Sequence, residues 1–431
     1  MKRKSKVVIV GVDINREHED FQYSMQELGN LAAACNLEVV SEVTQNLNYV
    51  NQANYIGTGK MQELQDMVRA NQAIAVIFDD ELSPSQIRNL EKALKCEVLD
   101  RTMLILEIFA RRAKTKESKL QVEIARLKYM LPRLVGMRES LGRQGGGAGL
   151  KNRGAGETKL ELDRRKIEEK IAQLNRELEK LVDQRETQRK RRNQNGLPIV
   201  SLVGYTNAGK STIMNTMLDL MDQENDKMVF EKDMLFATLE TSVRRVTSST
   251  NRTFLLTDTV GFINKLPHHL VKAFRSTLEE VVEADLLVHV VDYSNPHYEE
   301  QIALTNKILA EIGVEEIPVI YAYNKTDLVE GVQEDNDENH IYVSGKNKLG
   351  IEVLTQTISE QVFHDYVHCE LLIPYTEGQV VAYFNENAHV LSERHEEDGT
   401  RLEVECRKAD AKRYDLFVIE EKGSVSDDVY E

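Results

Sequence analysis

Leu197-Pro198-Ile199-Val200-Ser201-Leu202-Val203-Gly204-Tyr205-Thr206-Asn207-Ala208-Gly209-Lys210-Ser211-Thr212 decides the fold. The first seven residues form a short apolar run opened by proline, the pattern of a buried strand. Gly204 to Ser211 follows the spacing G-x-x-x-x-G-K-[ST], in which glycines let the backbone wrap a phosphate chain. Ser211 to Leu218 then reads as a helix whose first N–H groups face that negative charge. Lys210 is expected at the β- and γ-phosphates, and the Ser211 hydroxyl on Mg²⁺.

Three further strand exits carry matching chemistry. Phe254-Leu255-Leu256-Thr257 ends in Asp258-Thr259-Val260-Gly261, a carboxylate and a glycine suited to a metal and to sensing a terminal phosphate. Pro318 to Tyr323 runs into Asn324-Lys325-Thr326-Asp327. The Asp327 carboxylate can accept both N1–H and the 2-amino group of guanine. Adenine would leave it unpaired, at a cost of roughly 1–3 kcal/mol or more. Lys325 is expected to lie along the base and bridge to the phosphate loop. Ile341-Tyr342-Val343 precedes Ser344-Gly345-Lys346, whose backbone N–H can meet guanine O6. Val288 to Asp292 is another buried strand. Ligands at strand C-terminal ends are what an open α/β sheet predicts. The implied ligands are GTP or GDP with Mg²⁺, and Tyr205, Thr206, Asn207, Ala208, Gly209 and Thr212 complete the phosphate cradle.

Two positions qualify that picture. A threonine between the first two motifs should close over the metal with GTP bound; Thr238 is preferred and Thr241 stays open. Lys210, Thr238 and Gly261 are the candidate catalytic groups. Phe262 stands where many GTPases carry the glutamine that orients the attacking water. Phenylalanine cannot hydrogen-bond, so hydrolysis by the chain alone should be slow.

The chain has 431 residues and a formal charge of −16. The charge is uneven: residues 101–196 hold 25 Lys and Arg against 13 Asp and Glu, a net of +12. One basic segment in an acidic chain points to a localised polyanion site. Leu120, Ile124, Leu127, Leu131 and Leu134 form one apolar seam, and Ile167, Ile171, Leu174, Leu178 and Leu181 another. They flank a Gly/Arg-rich stretch, residues 142–156. The expected form is an antiparallel helical hairpin, kinked at Pro132, with Arg143, Lys151 and Arg153 near its tip as RNA-contact candidates.

Before it, strand signals at Val7–Val12, Leu37–Val43, Ala73–Phe78 and Cys96–Leu99 alternate with helices at Ser24–Cys35, Lys60–Ala70 and Pro84–Leu94, a small α/β layer. The tail from Tyr366 alternates as an α+β module and ends in acidic residues. The overall expectation is a multidomain α/β chain: 1–113 an N-terminal α/β domain, 114–196 the hairpin with its tip loop 142–156, 197–365 a P-loop GTP-binding domain, mostly parallel sheet with helices on both faces, and 366–431 a small α+β domain. Four scattered cysteines with no metal spacing fit a reducing compartment. The apolar run Val7–Val12 is too short for a signal-peptide core, and nothing approaches a membrane span. A cytoplasmic, monomeric protein is expected.

Taken together, the residues resemble the HflX GTPases over essentially the whole chain. The resemblance rests on Tyr55-Ile56-Gly57-Thr58-Gly59-Lys60, on residues 78–86, on Asp100-Arg101-Thr102, on residues 121–127, on Gly154-Ala155-Gly156-Glu157-Thr158, on Gly204–Thr212 and on Asp258–Phe262. It implies binding to the large ribosomal subunit and its RNA, with GTP used to split or rescue stalled ribosomes under stress, and hydrolysis stimulated by the ribosome. Asn207 matches an asparagine that helps hold K⁺ in some related GTPases. A nucleotide-gated scaffold for other RNA or proteins, with incidental hydrolysis, is the alternative.

Overall fold

The computed structural model describes residues 4–14, 18–143, 152–193, 197–221, 236, 241–247, 252–267, 280–314, 316–331 and 336–424. The chain forms two compact units, one of Met1–Leu181 with Asp233–Leu239 and Ile263–Arg275, the other of Val182–Lys232, Glu240–Phe262 and Ser276–Glu431.

In the first unit, β1 (Ser5–Ile14), β2 (Leu37–Leu47), β3 (Ala75–Phe78) and β4 (Glu97–Asp100) make a parallel sheet of order β2-β1-β3-β4. Helices α1 (His18–Ala34), α2 (Thr58–Asn71) and α3 (Pro84–Leu94) connect the strands. β1 is buried along most of its length because a parallel sheet is covered on both faces. Ser83 caps α3: its hydroxyl accepts from the Gln86 N–H while the Gln86 side chain accepts from the Ser83 N–H. α4 (Arg101–Arg112) starts at Asp100, whose carboxylate accepts from the Met103 N–H.

Part of the basic segment lies in the interior of this unit. Arg101 is fully buried and pairs with Glu27 and, at 2.7 Å, with Asp79. Arg111 pairs with Glu107 at 2.9 Å, one turn back on the same helix. Arg133 is buried against Asp100 at 2.8 Å and stacks on the Tyr129 ring. The Arg101 and Arg133 guanidinium groups are buried and hold the unit together, while Arg111 stays about half exposed. Burying Arg101 and Arg133 is tolerable because each is matched by carboxylates and hydrogen bonds. Within this unit, Lys265 also pairs with Asp79 and, at 2.6 Å, with Asp80.

α5 (Lys116–Arg143) and α6 (Asn152–Asn193) follow. Lys170 on α6 meets Glu123 on α5 at 2.8 Å. α5 continues through Pro132. Arg143 ends α5 and Gly154, Ala155 and Gly156 lie inside α6, so part of the expected tip loop 142–156 is helical. Glycine costs about 1 kcal/mol against alanine in a helix, and the long run of helix formers from Glu157 outweighs it. Lys151 falls outside the described residues.

The second unit contains a six-stranded sheet of order β10-β9-β8-β5-β7-β6. These are β5 (Ile199–Val203), β6 (Ser242–Thr247), β7 (Thr253–Asp258), β8 (Leu286–Asp292), β9 (Val319–Asn324) and β10 (His340–Tyr342). All pairs are parallel except β6 with β7. Helices α7 (Lys210–Leu220), α8 (Tyr298–Glu311) and α9 (Ile351–Val362) accompany it. Ile213, Met214, Met217, Leu354 and Ile358 pack on Val200, Leu202, Phe254 and Leu256 as one core.

A four-stranded antiparallel sheet closes the chain, of order β12-β13-β11-β14: β11 (Tyr366–Ile373), β12 (His389–Glu396), β13 (Gly399–Arg407) and β14 (Val418–Ser424). With α10 (Gly378–Asn387) and α11 (Lys408–Arg413) it is a split β-α-β-β-α-β module. One sheet face buries Val367, Cys369, Leu371, Leu402, Val404 and Cys406. The other carries ion pairs such as Arg401–Glu370 at 2.6 Å. Residues 423 and 424 finish β14, and the rest of the acidic tail lies outside the described residues. All four cysteines are free thiols.

Candidate nucleotide site

Strand β5 delivers the phosphate loop and α7 receives it. Gly204 has φ +139° and Gly209 φ +100°, both in the region that favours glycine. A Cβ on Gly204 would overlap the Val290 carbonyl oxygen, and one on Gly209 would overlap the Asn324 amide. Asn207 also sits at positive φ, +63°, at the exposed crest of the loop. The backbone path therefore belongs to glycine at its two ends and to asparagine, which tolerates the left-handed region, at its crest.

Lys210 is 6 % exposed. Its amine donates to the carbonyls of Gly204 and Tyr205 at 3.0 and 2.8 Å, inside its own loop. Burial, opposed in part by the Asp258 carboxylate, holds its pKa down to about 8. The Ser211 hydroxyl donates to the Asp258 carboxylate at 2.6 Å, and Asp258 is fully buried at the end of β7. A hydroxyl and a carboxylate so paired are a fitting donor set for Mg²⁺, which takes few protein ligands and completes its shell with water and phosphate oxygens. His289 on β8 lies beneath the turn of the loop. Burial and then the Lys210 charge push its pKa down to about 3, so it stays neutral.

The second motif is fastened to the first through its backbone. The Thr206 N–H donates to the Phe262 carbonyl at 2.7 Å, and the Phe262 N–H donates to the Gly204 carbonyl at 3.1 Å. Gly261 fits this approach because a Cβ there would stand 2.7 Å from the Thr206 Cα and 2.9 Å from the Lys210 Nζ. The Phe262 side chain is 3 % exposed. Nothing in the sequence marks Phe262 as the residue that clips the two loops together.

Asn324 joins the base motif to everything else. Its amide donates to the Ala208 carbonyl at 2.8 Å, and its carbonyl accepts from the Gly345 N–H at 3.0 Å. Lys325, at φ +67°, pairs with Asp292 at 2.7 Å. The bridge expected from Lys325 to the phosphate loop is thus made by Asn324, whose short amide spans the gap while the lysine turns to the carboxylate at the end of β8. The Asp327 carboxylate accepts from the Ser344 hydroxyl at 2.6 Å and remains exposed. The Thr216 hydroxyl on α7 donates to the Gly345 carbonyl at 2.9 Å. Lys346 is exposed, and Thr212 lies in the first turn of α7. Thr238 lies outside the described residues, and Thr241 directly precedes β6. Arg143 lies on α5 and Arg153 on α6.

Four strand ends thus converge on one phosphate loop and one base loop. Residues 22–110 match the family model described as GTP-binding GTPase N-terminal, 112–192 the GTP-binding GTPase middle region, and 199–325 the 50S ribosome-binding GTPase. GTPase HflX of Caldanaerobacter subterraneus subsp. tengcongensis is 44 % identical over 416 residues, covering 96 % of this chain and 94 % of that protein. This chain belongs to the HflX family of GTPases. GTPase HflX of Escherichia coli (strain K12) is 40 % identical over 396 residues, covering 90 % and 91 %. Among solved structures, an SsGBP complex with GDP aligns with 27 % identity and a TM-score of 0.47, covering 83 % of this chain and 98 % of that one. As an HflX-family member the chain is a GTP hydrolase built on a P-loop GTPase fold, and its nucleotides are GTP and GDP. Among the described residues no helix is long and apolar enough to cross a membrane.

Proposed function

We propose that this HflX-family chain binds the large ribosomal subunit and its RNA, and uses GTP binding and hydrolysis to split or rescue stalled ribosomes under stress. The matching family model is described as a 50S ribosome-binding GTPase. The observation that carries the reading is Phe262, a buried ring at the position where a glutamine would orient water. Hydrolysis that lacks its own water-positioning group needs a partner to complete the site.

In this reading Gly204 to Thr212 cradle the phosphates, and Lys210, Thr238 and Gly261 act on the terminal one. Ser211, Thr238 and Asp258 hold Mg²⁺, which neutralises charge building on the phosphate oxygens. Asn207 lends its carbonyl to K⁺. Asn324, Lys325, Asp327, Ser344, Gly345 and Lys346 select guanine. The parts divide as 1–113, 114–196, 197–365 and 366–431, with Arg143, Lys151 and Arg153 meeting ribosomal RNA. The protein works as a monomer in the cytoplasm. Ordering of the loops by the γ-phosphate is the step that changes affinity for the subunit.

The test is GTP turnover with and without purified large ribosomal subunits, on the intact chain and on one lacking residues 142–156. Stimulation that weakens on deletion supports the proposal. Turnover that ignores ribosomes favours the alternative, a nucleotide-gated scaffold for other RNA or proteins.

A further inference from the structure

The second unit carries a cluster of aromatic rings that the nucleotide site does not use. Tyr293 follows β8, Tyr298 opens α8, Tyr323 lies on β9 and Tyr342 on β10. The Tyr293 ring stands 5.4, 5.5 and 5.3 Å from those of Tyr298, Tyr323 and Tyr342. Tyr323 and Tyr342 stack at 5.0 Å, and His340 extends the stack at 6.1 Å from Tyr323. Strand β9 alternates cleanly: Ile320, Ala322 and Asn324 are buried on one face, while Tyr321 and Tyr323 are half-buried on the other. The tyrosine face is therefore only partly covered. Among the described residues, the link from β9 to β10 contributes one short 3-10 turn, Thr326–Leu328, and no α-helix.

Three carboxylates lie at the edge of this cluster. Glu299 accepts from the Tyr298 hydroxyl at 3.4 Å. Asp337 meets His340 at 3.0 Å, and Glu300 meets His297, beside Tyr298, at 3.1 Å. The Glu300 and Asp337 side chains are 57 % and 63 % exposed. Burial, then the neighbouring phenols, pushes the Tyr323 pKa up to about 12, and burial, then Glu299, raises that of Tyr298. Ring faces inside a rim of carboxylates attract cations and repel phosphate. A guanidinium suits the place better than an ammonium, since it stacks flat on a ring and still donates in-plane to a carboxylate.

We propose that this tyrosine face is a docking site for an arginine-bearing segment of a protein partner. The inference stands apart from the ribosome reading, since it rests on the rings and their rim alone. The site also adjoins the base loop. The Tyr293 N–H donates to the Asn324 carbonyl at 2.9 Å, Tyr323 precedes Asn324, and Asp292, next to Tyr293, holds Lys325. A segment seated there is placed to change guanine-nucleotide affinity, and nucleotide to change its own.

The experiment uses the full chain and, as probe, a labelled short peptide of alternating arginine and glycine, with a lysine counterpart and a single-stranded RNA oligonucleotide alongside. Saturable binding of the arginine peptide is expected, tighter than the lysine peptide. It should weaken roughly tenfold in Tyr342→Leu, and again in the double variant Glu299→Gln/Glu300→Gln. Tyr342→Phe keeps the ring and should keep the affinity, and GDP binding reports that each variant is folded. Equal binding by Tyr342→Leu and the parent would reduce the effect to diffuse attraction by an acidic chain and overturn the proposal. So would loss of binding in Tyr342→Phe equal to that in Tyr342→Leu, absence of saturable binding, or a preference for the RNA that depends on Tyr342.

Discussion

Replacing Asn324 by alanine removes the side chain that spans the phosphate loop, the base loop and the loop at Gly345. Two hydrogen bonds go, to the Ala208 carbonyl at 2.8 Å and from the Gly345 N–H at 3.0 Å, both in buried surroundings. A buried backbone group left without a partner costs roughly 1–3 kcal/mol, so the pair costs about 2–4 kcal/mol once water reaches one of them. If the whole loss falls on binding, GDP affinity drops roughly 30- to 1,000-fold. Because both bonds join protein to protein, part of the loss must appear in folding, up to roughly 5–15 °C in the melting of this unit. Titration with a fluorescent GDP analogue and thermal melts without nucleotide, run on the same preparation, measure both shares. Asn324→Asp sharpens the test. It keeps an acceptor for the Gly345 N–H but turns a carboxylate oxygen toward the Ala208 carbonyl, so it should be no better than alanine. Affinity within about threefold of the parent and an unchanged melt would refute the assignment of Asn324 as the tie between loops.

Further outcomes follow from the same geometry. Asp327→Asn should exchange guanine for xanthine preference, with GTP affinity falling roughly 10²-fold; unaltered GTP binding would show that another group reads the base. Burial lowers the Lys210 pKa from 10.5 to about 8, so its proton is lost as pH rises through 8, well below the unfolded value. A bound triphosphate restores that proton, so nucleotide binding should take up a proton between pH 8 and 10.5 and weaken as pH rises. Calorimetry in buffers of different ionisation enthalpy measures the uptake, which Lys210→Ala should abolish. Phe262→Gln should not restore fast hydrolysis, because the side chain at this position is buried. It should instead lower stability by roughly 2–4 kcal/mol, read by denaturant melts, and a clear rise in turnover would count against the buried orientation. Gly204→Ala should prevent nucleotide binding, since its Cβ overlaps the Val290 carbonyl oxygen; binding at parental affinity would mean that the loop can take another path.

Much of the site was legible because its signals are local. A strand, a glycine loop and a helix occupy consecutive residues, and each motif stands at the exit of an apolar run, so Gly204–Ser211, Asp258, Gly261, Asn324 and Asp327 were identifiable one segment at a time. The α/β class followed from the same alternation, and Ser83 announced α3 through its own cap. Strands β6, β12 and β14 were not legible. They are edge strands of partly polar residues, and only pairing with a neighbour makes them strands. Helix α4 was hidden because Arg101 and Arg111 read as free positive charge until their partners Glu27, Asp79 and Glu107 were in place.

By itself, then, the sequence determined which residues are the candidates to cradle a phosphate or accept from guanine, and where a glutamine is replaced by Phe262. Only the tertiary structure decided how those residues are held. Asn324 reaches Ala208 across 116 positions of chain, and Thr216 reaches Gly345 across 129. The Phe262 backbone clips two motifs together whatever its side chain, and four tyrosines from different elements share one face. Composition and spacing carry no record of such meetings, because they are set by the register of parallel strands and the backbone path of glycine turns, which exist only once the sheet has formed.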